Sequence, residues 1–408
     1  MSLLEPVCAL DIGTSKVCAL IADINEPDGV PRILGVGQAP SEGLRRGVVI
    51  DLDKTVRSIA QSVTDAELMA QVKVDQVICG IGGDQVKSIN SRGVVAIHNA
   101  HHEVTPADVE RAIAAARAVL LPVDREIIHC LPVAFTMDDQ PGIKDPVGMT
   151  GRRLEVEVHL VTGAVNTAQN IARALELADL GLADLVLQSV ASGWAVLDDE
   201  EKDLGTMVID MGGQTTDIAI FLEGSIRHTA CLGVGGRNVT NDLAIGLRIG
   251  AEVAEELKRM YGACLADTVP PDEACTIPGT PGRPGREVER SMLASIIEPR
   301  MEEVFSLCKR ELELSPYRHL ISGGCVITGG GVQIEGACKL AEKILKMPVK
   351  LGYPRGVGGL TDLIASPAFA TAVGLLRQAA TEPPVRPEEG AILQRVRNRI
   401  GDFLREYM

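Results

Sequence analysis

Val7-Cys-Ala-Leu-Asp11-Ile-Gly13-Thr14-Ser15-Lys16-Val17 and Met207-Val-Ile-Asp210-Met-Gly212-Gly213-Gln214-Thr215-Thr216-Asp217 are one pattern used twice. Each reads as an apolar strand, an aspartate, a small-residue turn and a second apolar strand. With Asp11 set against Asp210, Gly13 falls on Gly212 and Val17 on Thr216. Small turn residues let backbone N–H groups approach phosphate oxygens with no Cβ in the way. An aspartate at the strand end is placed to hold Mg²⁺, usually through waters. Two such hairpins, face to face, would clamp a nucleoside triphosphate from both sides. One Asp-x-Gly turn alone reads as an ordinary hairpin. Two in register, one opening each half of the chain, point to nucleotide binding.

A third stretch, Ser322-Gly-Gly-Cys-Val-Ile-Thr328-Gly329-Gly330-Gly331-Val332-Gln-Ile-Glu335-Gly336, reads as a buried strand, a glycine turn and a helix to about Leu345. Consecutive glycines there admit a flat ligand such as adenine or its ribose. The alternative is a tight strand-to-helix turn without a ligand.

The 408 residues suffice for two lobes or several subdomains. Apolar residues make up 46% but aromatics only 2%, so the core is built from Val, Ile, Leu and Ala, which suits buried strands of an α/β fold. A net charge of −15 argues against a nucleic-acid partner. The ten cysteines form no CxxC pair and no zinc-like cluster with histidine. Cys8, Cys18, Cys79 and Cys325 lie inside apolar runs, where a thiol acts as a small hydrophobe. A reducing cytoplasm is expected, with no structural metal, no disulfide and no signal peptide. No run approaches the ~18 apolar residues needed to span a bilayer.

Along the chain, three strands are followed by a helix over 52–71 and a strand over 74–81. Residues 84–161 read as an inserted unit: short strands around 86–98, a helix after the Thr105 N-cap and Pro106, and strands near 126–137 and 154–161. A helix over 166–180, a strand over 184–190 and a connecting helix at 191–197 lead to the second half, which opens at Gly205. There, helices over 236–246 and 250–261 precede a loop-like stretch, 267–287, rich in Pro-Gly turns, and a long helix at 288–314. The last α/β element is a helix at 366–379.

Residues 380–390 form a proline-rich charged linker, and 391–408 form a separate amphipathic helix. At about 100° per residue, Ile392, Leu393, Val396, Ile400, Phe403, Leu404 and Tyr407 share one arc of roughly 120°. Arg395, Arg399 and Arg405 lie opposite, and Arg397 is the exception. Four arginines against Asp402 and Glu406 reverse the sign of an otherwise acidic protein. A helix docked on its own domain has the same pattern. The linker and charge reversal point instead to a membrane-surface helix.

Together these residues resemble the actin/Hsp70/sugar-kinase ATPase superfamily and, within it, the FtsA family of bacterial division proteins. The superfamily signal is the pair of hairpins with Thr328–Gly331. The family signal is Leu10 to Val17, the unit at 84–161, Leu187 to Ser192, Leu197 to Gly205, Gly233 to Asp242, Ile297 to Arg300, Gly359 to Asp362, and the linker with its terminal helix. One departure stands out: the second loop of the family usually reads Gly-Gly-Gly-Thr, and here Gln214 takes the third glycine's place. That side chain bears on the γ-phosphate pocket and on hydrolysis more than on binding.

The resemblance implies an α/β, two-lobed actin-like ATPase fold with an inserted α+β subdomain in the first lobe. It divides the chain into 1–83, 162–204 and 356–379 as the first lobe, with 84–161 inserted for self-association and partner contacts. The second-lobe core is 205–232 and 291–355, and its small subdomain is 233–290. The linker and the membrane helix follow. It implies ATP and Mg²⁺ as cofactors and at most slow hydrolysis. Asp11 and Asp210 would organise Mg²⁺ and the attacking water. Gly13, Thr14, Ser15, Lys16, Gly212, Gly213, Gln214 and Thr215 would cradle phosphates. Gly236, Asn238, Glu255 and Lys258 would line the ribose and adenine side opposite Gly329, Gly330 and Gly331. Asp184 or Gln188 would orient water, or serve structurally. The implied function is a scaffold that polymerises on the inner face of the cytoplasmic membrane at the division site. It would tether FtsZ there by its C-terminal peptide and recruit later division proteins. Arg286 and Arg300 would meet that acidic peptide, or else be solvated surface arginines. The rival readings are a sugar or acetate kinase of the same superfamily, and a related actin-like filament or pilus-assembly protein.

Overall fold

The computed structural model describes residues 6–24, 29–279 and 284–381. The terminal amphipathic helix and nearly all of the linker lie outside them.

The first repeat folds as read. Val7–Ile12 pairs antiparallel with Lys16–Asp23, with Asp11 opposite Cys18, and Lys16–Asp23 pairs antiparallel with Arg32–Pro40. On its other side Val7–Ile12 runs parallel to Gln76–Ile81, which runs parallel to Gly181–Leu187. The second repeat does the same. Thr206–Met211, Thr216–Leu222 and Ser225–Leu232 form an antiparallel meander, and Cys325–Thr328 and Val349–Leu351 extend it in parallel. The two sheets therefore share one strand order, meander first and parallel strands beyond it. Gly358–Gly359 adds a further strand to the first sheet. Central strands covered on both faces carry unbroken apolar runs, and Cys8 to Leu10 and Val17 to Ala22 are fully buried.

Between the sheets lie two helices, Gln188–Val196 and Ala370–Thr381. Val190, Ala191, Val373 and Leu376 share one core with Leu20 and Ile78 of the first sheet and Val208 and Phe221 of the second. The helices touch backbone to backbone: a Cβ on Gly374 would lie 1.8 Å from the Ala191 carbonyl oxygen. These helices hold the two hairpins in register.

The insertion is an antiparallel sheet ordered Lys87–Ala96, Arg153–Ala164, Arg125–Met137, Gln140–Ile143, with the helix Pro106–Arg117 on one face. The sequence suggested several short strands around 86–98. One long strand forms instead, because Gly93 lets the helix lie directly on it; a Cβ there would fall 2.0 Å from the Ala112 oxygen. The insertion also rests on the second lobe. Ser88 Oγ donates to the Thr229 carbonyl at 2.8 Å, and His159 lies between Asn90 Oδ1 at 2.7 Å and Thr229 Oγ1 at 3.0 Å. Burial pushes the His159 imidazole down to about 3, so it is neutral there.

In the second lobe the helices Gly236–Leu247 and Ala251–Tyr261 are followed by a short hairpin, Ala274–Ile277 with Arg286–Glu289, where the sequence suggested only loop. Buried Cys275 and Ile277 anchor this hairpin to the lobe's core. The helix Arg290–Leu314 accommodates Pro299 and buries Leu293, Ile297, Met301, Phe305, Cys308 and Leu312 along one face. The stretch read as a strand from Ser322 is extended only over Cys325–Thr328, because Gly324 at φ 75° and Gly329 at φ 91° turn the chain at both ends. The following helix begins only at Ala337, after a short turn at Gly330–Val332. Among the described residues no helix is long and apolar enough to cross a membrane.

Candidate nucleotide site

The hairpin turns close in the same way, with Gly13 N donating to Lys16 O at 3.0 Å and Gly212 N to Thr215 O at 2.8 Å. Their tips meet across the cleft. Gln214 N donates to Thr14 Oγ1 at 3.0 Å, and a Cβ on Gly213 would come within 2.0 Å of Ser15 Oγ. Lys16 extends over the Phe369 ring, 4.0 Å from its centre. The second hairpin is held from behind by a helix N-terminus: Gly236 N donates to Gly212 O at 3.0 Å and Arg237 N to Gly213 O at 2.7 Å. Thr14, Ser15, Lys16, Gly212, Gly213, Gln214 and Thr215 are thus brought to one place from residues far apart in sequence.

Beneath the tips lie buried carboxylates. Gln188 Nε2 donates to Asp11 Oδ1 at 2.8 Å, which makes Gln188 a partner of Asp11. Asp210 accepts hydrogen bonds from Ser192 Oγ and, at 3.1 Å, from Thr371 Oγ1. Asp217 stands opposite Asp210 in the ladder and is also buried. Burial raises all three. Asp11 goes to about 6, with Lys16 opposing the rise and Asp210 adding to it. Asp217 goes to about 7, with Asp210 again adding. Asp210 also rises, against its two hydroxyl partners. Asp184 does not join this group. It pairs with Ile78, level with Ala9, two residues short of Asp11, and accepts from the Leu185 amide at 2.7 Å.

The opposite wall is made of backbone. A Cβ on Gly329 would strike Asp210 Oδ1 at 2.3 Å, and one on Gly331 would lie 2.8 Å from Met211 O. Gly236 faces Gly331, whose Cα lies 3.4 Å from the position a Gly236 Cβ would take. Lys258 is buried below, donating to Gly236 O at 3.0 Å, Thr240 Oγ1 at 2.9 Å and Glu255 Oε2 at 2.7 Å. Burial lowers the Lys258 ammonium, and Glu255 opposes that. Burial acts to raise Glu255, but hydrogen bonds from Lys258 and Thr240 hold it below its ordinary range. Asn238 Oδ1 accepts from Gly235 N at 3.1 Å, so this oxygen caps the helix Gly236–Leu247.

The partner candidates have intramolecular contacts. Arg300 holds Asp242 with two nitrogens, at 2.6 and 3.1 Å, and also pairs with Glu303. Arg286 donates to Leu247 O at 2.6 Å while remaining exposed. Ile392, Leu393, Val396, Ile400, Phe403, Leu404 and Tyr407 fall outside the described residues.

The sequence reading missed Asp217, Ser192 and Thr371. Asp217 had a visible signal, a carboxylate at the head of an otherwise apolar strand. Ser192 and Thr371 had none, since hydroxyls are common in small-residue helices. Asp11 and Asp210, close enough to raise one another's cost of ionisation, suit a cation between them, and the glycine wall suits a flat group. Among the described residues no three acidic, histidine or cysteine side chains converge to hold a metal by themselves.

Comparison with known proteins bears on the family and the fold. The model of the cell division protein FtsA family matches residues 207–374, and that of the SHS2 domain inserted in FtsA matches 83–162. The cell division protein FtsA of Pseudomonas aeruginosa is 45% identical over 370 residues, covering 91% of this chain and 88% of that one. That of Neisseria meningitidis serogroup B is 43% identical over 392 residues, covering 95% and 94%. That of Escherichia coli K12 is 37% identical over 377 residues, covering 91% and 89%. Among solved structures, the chain is similar to a PilM–PilN type IV pilus biogenesis complex (TM-score 0.65, 19% identity, 92% of this chain and 98% of that one). It is also similar to MreB5 of Spiroplasma citri bound to AMPPNP (TM-score 0.55, 14% identity, 90% and 94%). The fold is the two-lobed actin-like ATPase fold with an SHS2 insertion.

Proposed function

Because the chain belongs to the FtsA family of cell division proteins, we propose that it is an ATP-binding, actin-like scaffold that works on the cytoplasmic face of the membrane at the division site. The observation that carries the nucleotide is the convergence at the cleft: two hairpin tips in contact, buried aspartates beneath them, and a wall of glycine backbone at Gly236 and Gly329 to Gly331.

Backbone N–H groups at the hairpin tips, Thr14 to Lys16 and Gly213 to Thr215, hold phosphate oxygens, since those of Gly13 and Gly212 close the turns themselves. The helix at Gly236 adds its N-terminal dipole behind them. Asp11 and Asp210 are the residues that would hold Mg²⁺. When bound, the ion neutralises charge on the phosphates. Gln188 fixes the orientation of Asp11, and Ser192 with Thr371 fixes that of Asp210. The glycine wall faces adenine and ribose, with Lys258 and Glu255 supporting it from below. Hydrolysis is slow at most, since the nucleotide serves as a clamp between lobes.

The rest of the reading is built on family and sequence. The subdomain at 84–161 carries self-association. The subdomain at 233–290 with the following helix receives the acidic C-terminal peptide of FtsZ. Residues 391–408 bind the membrane surface, and later division proteins are recruited there. Arg286 is the better-placed cation for the peptide, because Arg300 is already held by Asp242.

A ligand selective for the folded state raises the melting temperature by mass action. Mg-ATP should therefore stabilise nucleotide-free protein, and Asp210→Ala should shrink the shift. No shift at millimolar Mg-ATP would sink the nucleotide reading. Co-sedimentation with anionic vesicles, with and without FtsZ and ATP, tests the scaffold reading. Failure of FtsZ to follow the protein onto vesicles would refute it.

A further inference from the structure

We propose that Gln214 and the turn at Arg46–Gly47 form a latch across the mouth of the cleft, and that this latch sets the site's preference between nucleoside diphosphates and triphosphates. The inference rests on the nucleotide reading above and extends it.

The first-lobe half of the latch is a small hairpin. Leu44–Arg45 pairs antiparallel with Val48–Val49, and the two residues between the innermost paired positions are Arg46 at φ 49° and Gly47 at φ 81°. Positive φ at both is the signature of a type I′ turn. In such a turn the N–H of the first central residue takes no part in the hairpin's own ladder, so it points outward as a free donor. It is also braced. A Cβ on Gly47 would lie 2.6 Å from Gly83 Cα, and the Arg46 guanidinium is 3.6 Å from Asp84. The donor is therefore presented from a fixed position.

The second-lobe half is Gln214. Its Oε1 accepts from Arg46 N at 3.1 Å, while its own N–H donates to Thr14 Oγ1 at 3.0 Å. Both arms of one residue reach across the cleft to the other lobe. Gln214 N–H and the Thr14 hydroxyl are groups that a third phosphate between the tips would engage, and here they satisfy each other. A triphosphate entering between the hairpins must part them. A diphosphate, ending one phosphate short, leaves the latch shut.

A hydrogen bond of this kind changes an equilibrium by about two- to tenfold. Gln214→Ala removes the side-chain arm and keeps the backbone arm. Gln214→Glu keeps an acceptor for Arg46 N–H but places negative charge at the tip. The test measures Kd for Mg-ADP and Mg-AMPPNP on the full chain, together with amide hydrogen exchange at Arg46 in the absence of nucleotide. Gln214→Ala should shift the Kd ratio two- to tenfold toward AMPPNP and speed exchange at Arg46. Gln214→Glu should leave Arg46 protected and shift the ratio toward ADP. If the alanine variant binds both nucleotides with the wild-type ratio, the latch is overturned and the nucleotide reading survives. If the wild type binds neither nucleotide, both fall together.

Discussion

Asp217→Asn should make the nucleotide-free protein more stable at neutral pH and leave it unchanged in acid. Asp217 lies opposite Asp210, buried, and its carboxyl is raised from 3.8 to about 7 by burial and then by Asp210. An acid whose folded pKa exceeds its unfolded pKa contributes stability that is fully present below the unfolded value. That contribution is lost as pH rises through the folded value. For Asp217 the loss runs from about pH 4 to about pH 7. For Asp11, raised to about 6, it runs from about pH 4 to about pH 6. At about 1.4 kcal/mol per unit, the Asp217 shift amounts to a penalty on the order of 4 kcal/mol above pH 7. Asparagine keeps the shape and never takes the charge. The assay is urea unfolding with EDTA, from about pH 4 to about pH 8, with wild type and variant compared point by point. Carboxylates held down by hydrogen bonds, such as Asp108 and Asp138, titrate in the opposite sense but cancel in the difference. The difference should be near zero at the acid end and should grow through about pH 6 to its full value above pH 7. A variant equally stable or less stable at neutral pH, with native secondary structure, would refute the reasoning. It would mean that Asp217 is not a burdened carboxylate in the folded state.

Gly374→Ala forces a methyl group against the Ala191 backbone and should cost about 1–3 kcal/mol or more by urea titration, with a smaller Mg-ATP stabilisation because the helices joining the lobes are displaced. An unchanged unfolding midpoint would show that the two helices do not cross as closely as described. A double-mutant cycle on Arg300 and Asp242 should give a coupling of about 0.5–1 kcal/mol, since both side chains are partly exposed. Asp242→Ala alone should raise affinity for an acidic peptide by freeing Arg300, and unchanged peptide binding would remove Arg300 from consideration. Deleting 391–408 should release the protein from anionic vesicles without lowering its melting temperature, and Phe403→Glu should do nearly the same. A fall in melting temperature with vesicle binding unaltered would show that the helix docks on its own domain.

Much of this protein was legible in the chain before any pairing was known. The two hairpins, the glycine turn after Thr328, the inserted unit and most helices follow from short-range rules. Apolar periodicity marks buried faces, and a cap such as Thr105 or a glycine at positive φ marks where an element stops. Repetition then carried the argument from elements to lobes, because two identical strand–Asp–turn–strand patterns imply two similar sheets. The strand order confirms that inference. The misreadings came where local signals conflict with distant ones. Residues 267–287 are rich in turn formers, yet Cys275 and Ile277 are pulled into the second lobe's core and extend the chain there. Residues 86–98 read as short strands, yet one long strand forms there, with Gly93 letting a helix lie on it.

What only the tertiary structure decided is which side chains meet. Gln188 lies near Asp11, Thr371 near Asp210, and Arg46 near Gln214, each across a long stretch of sequence. Arg300, a candidate for a partner's acid, is occupied by the chain's own Asp242. Local sequence acts over one or two turns of backbone, because its forces are capping, steric and periodic. Convergence of remote groups depends on how two sheets and the helices between them pack, and so do the burial that raises Asp11, Asp210 and Asp217 and the repulsion that Asp210 adds at the other two.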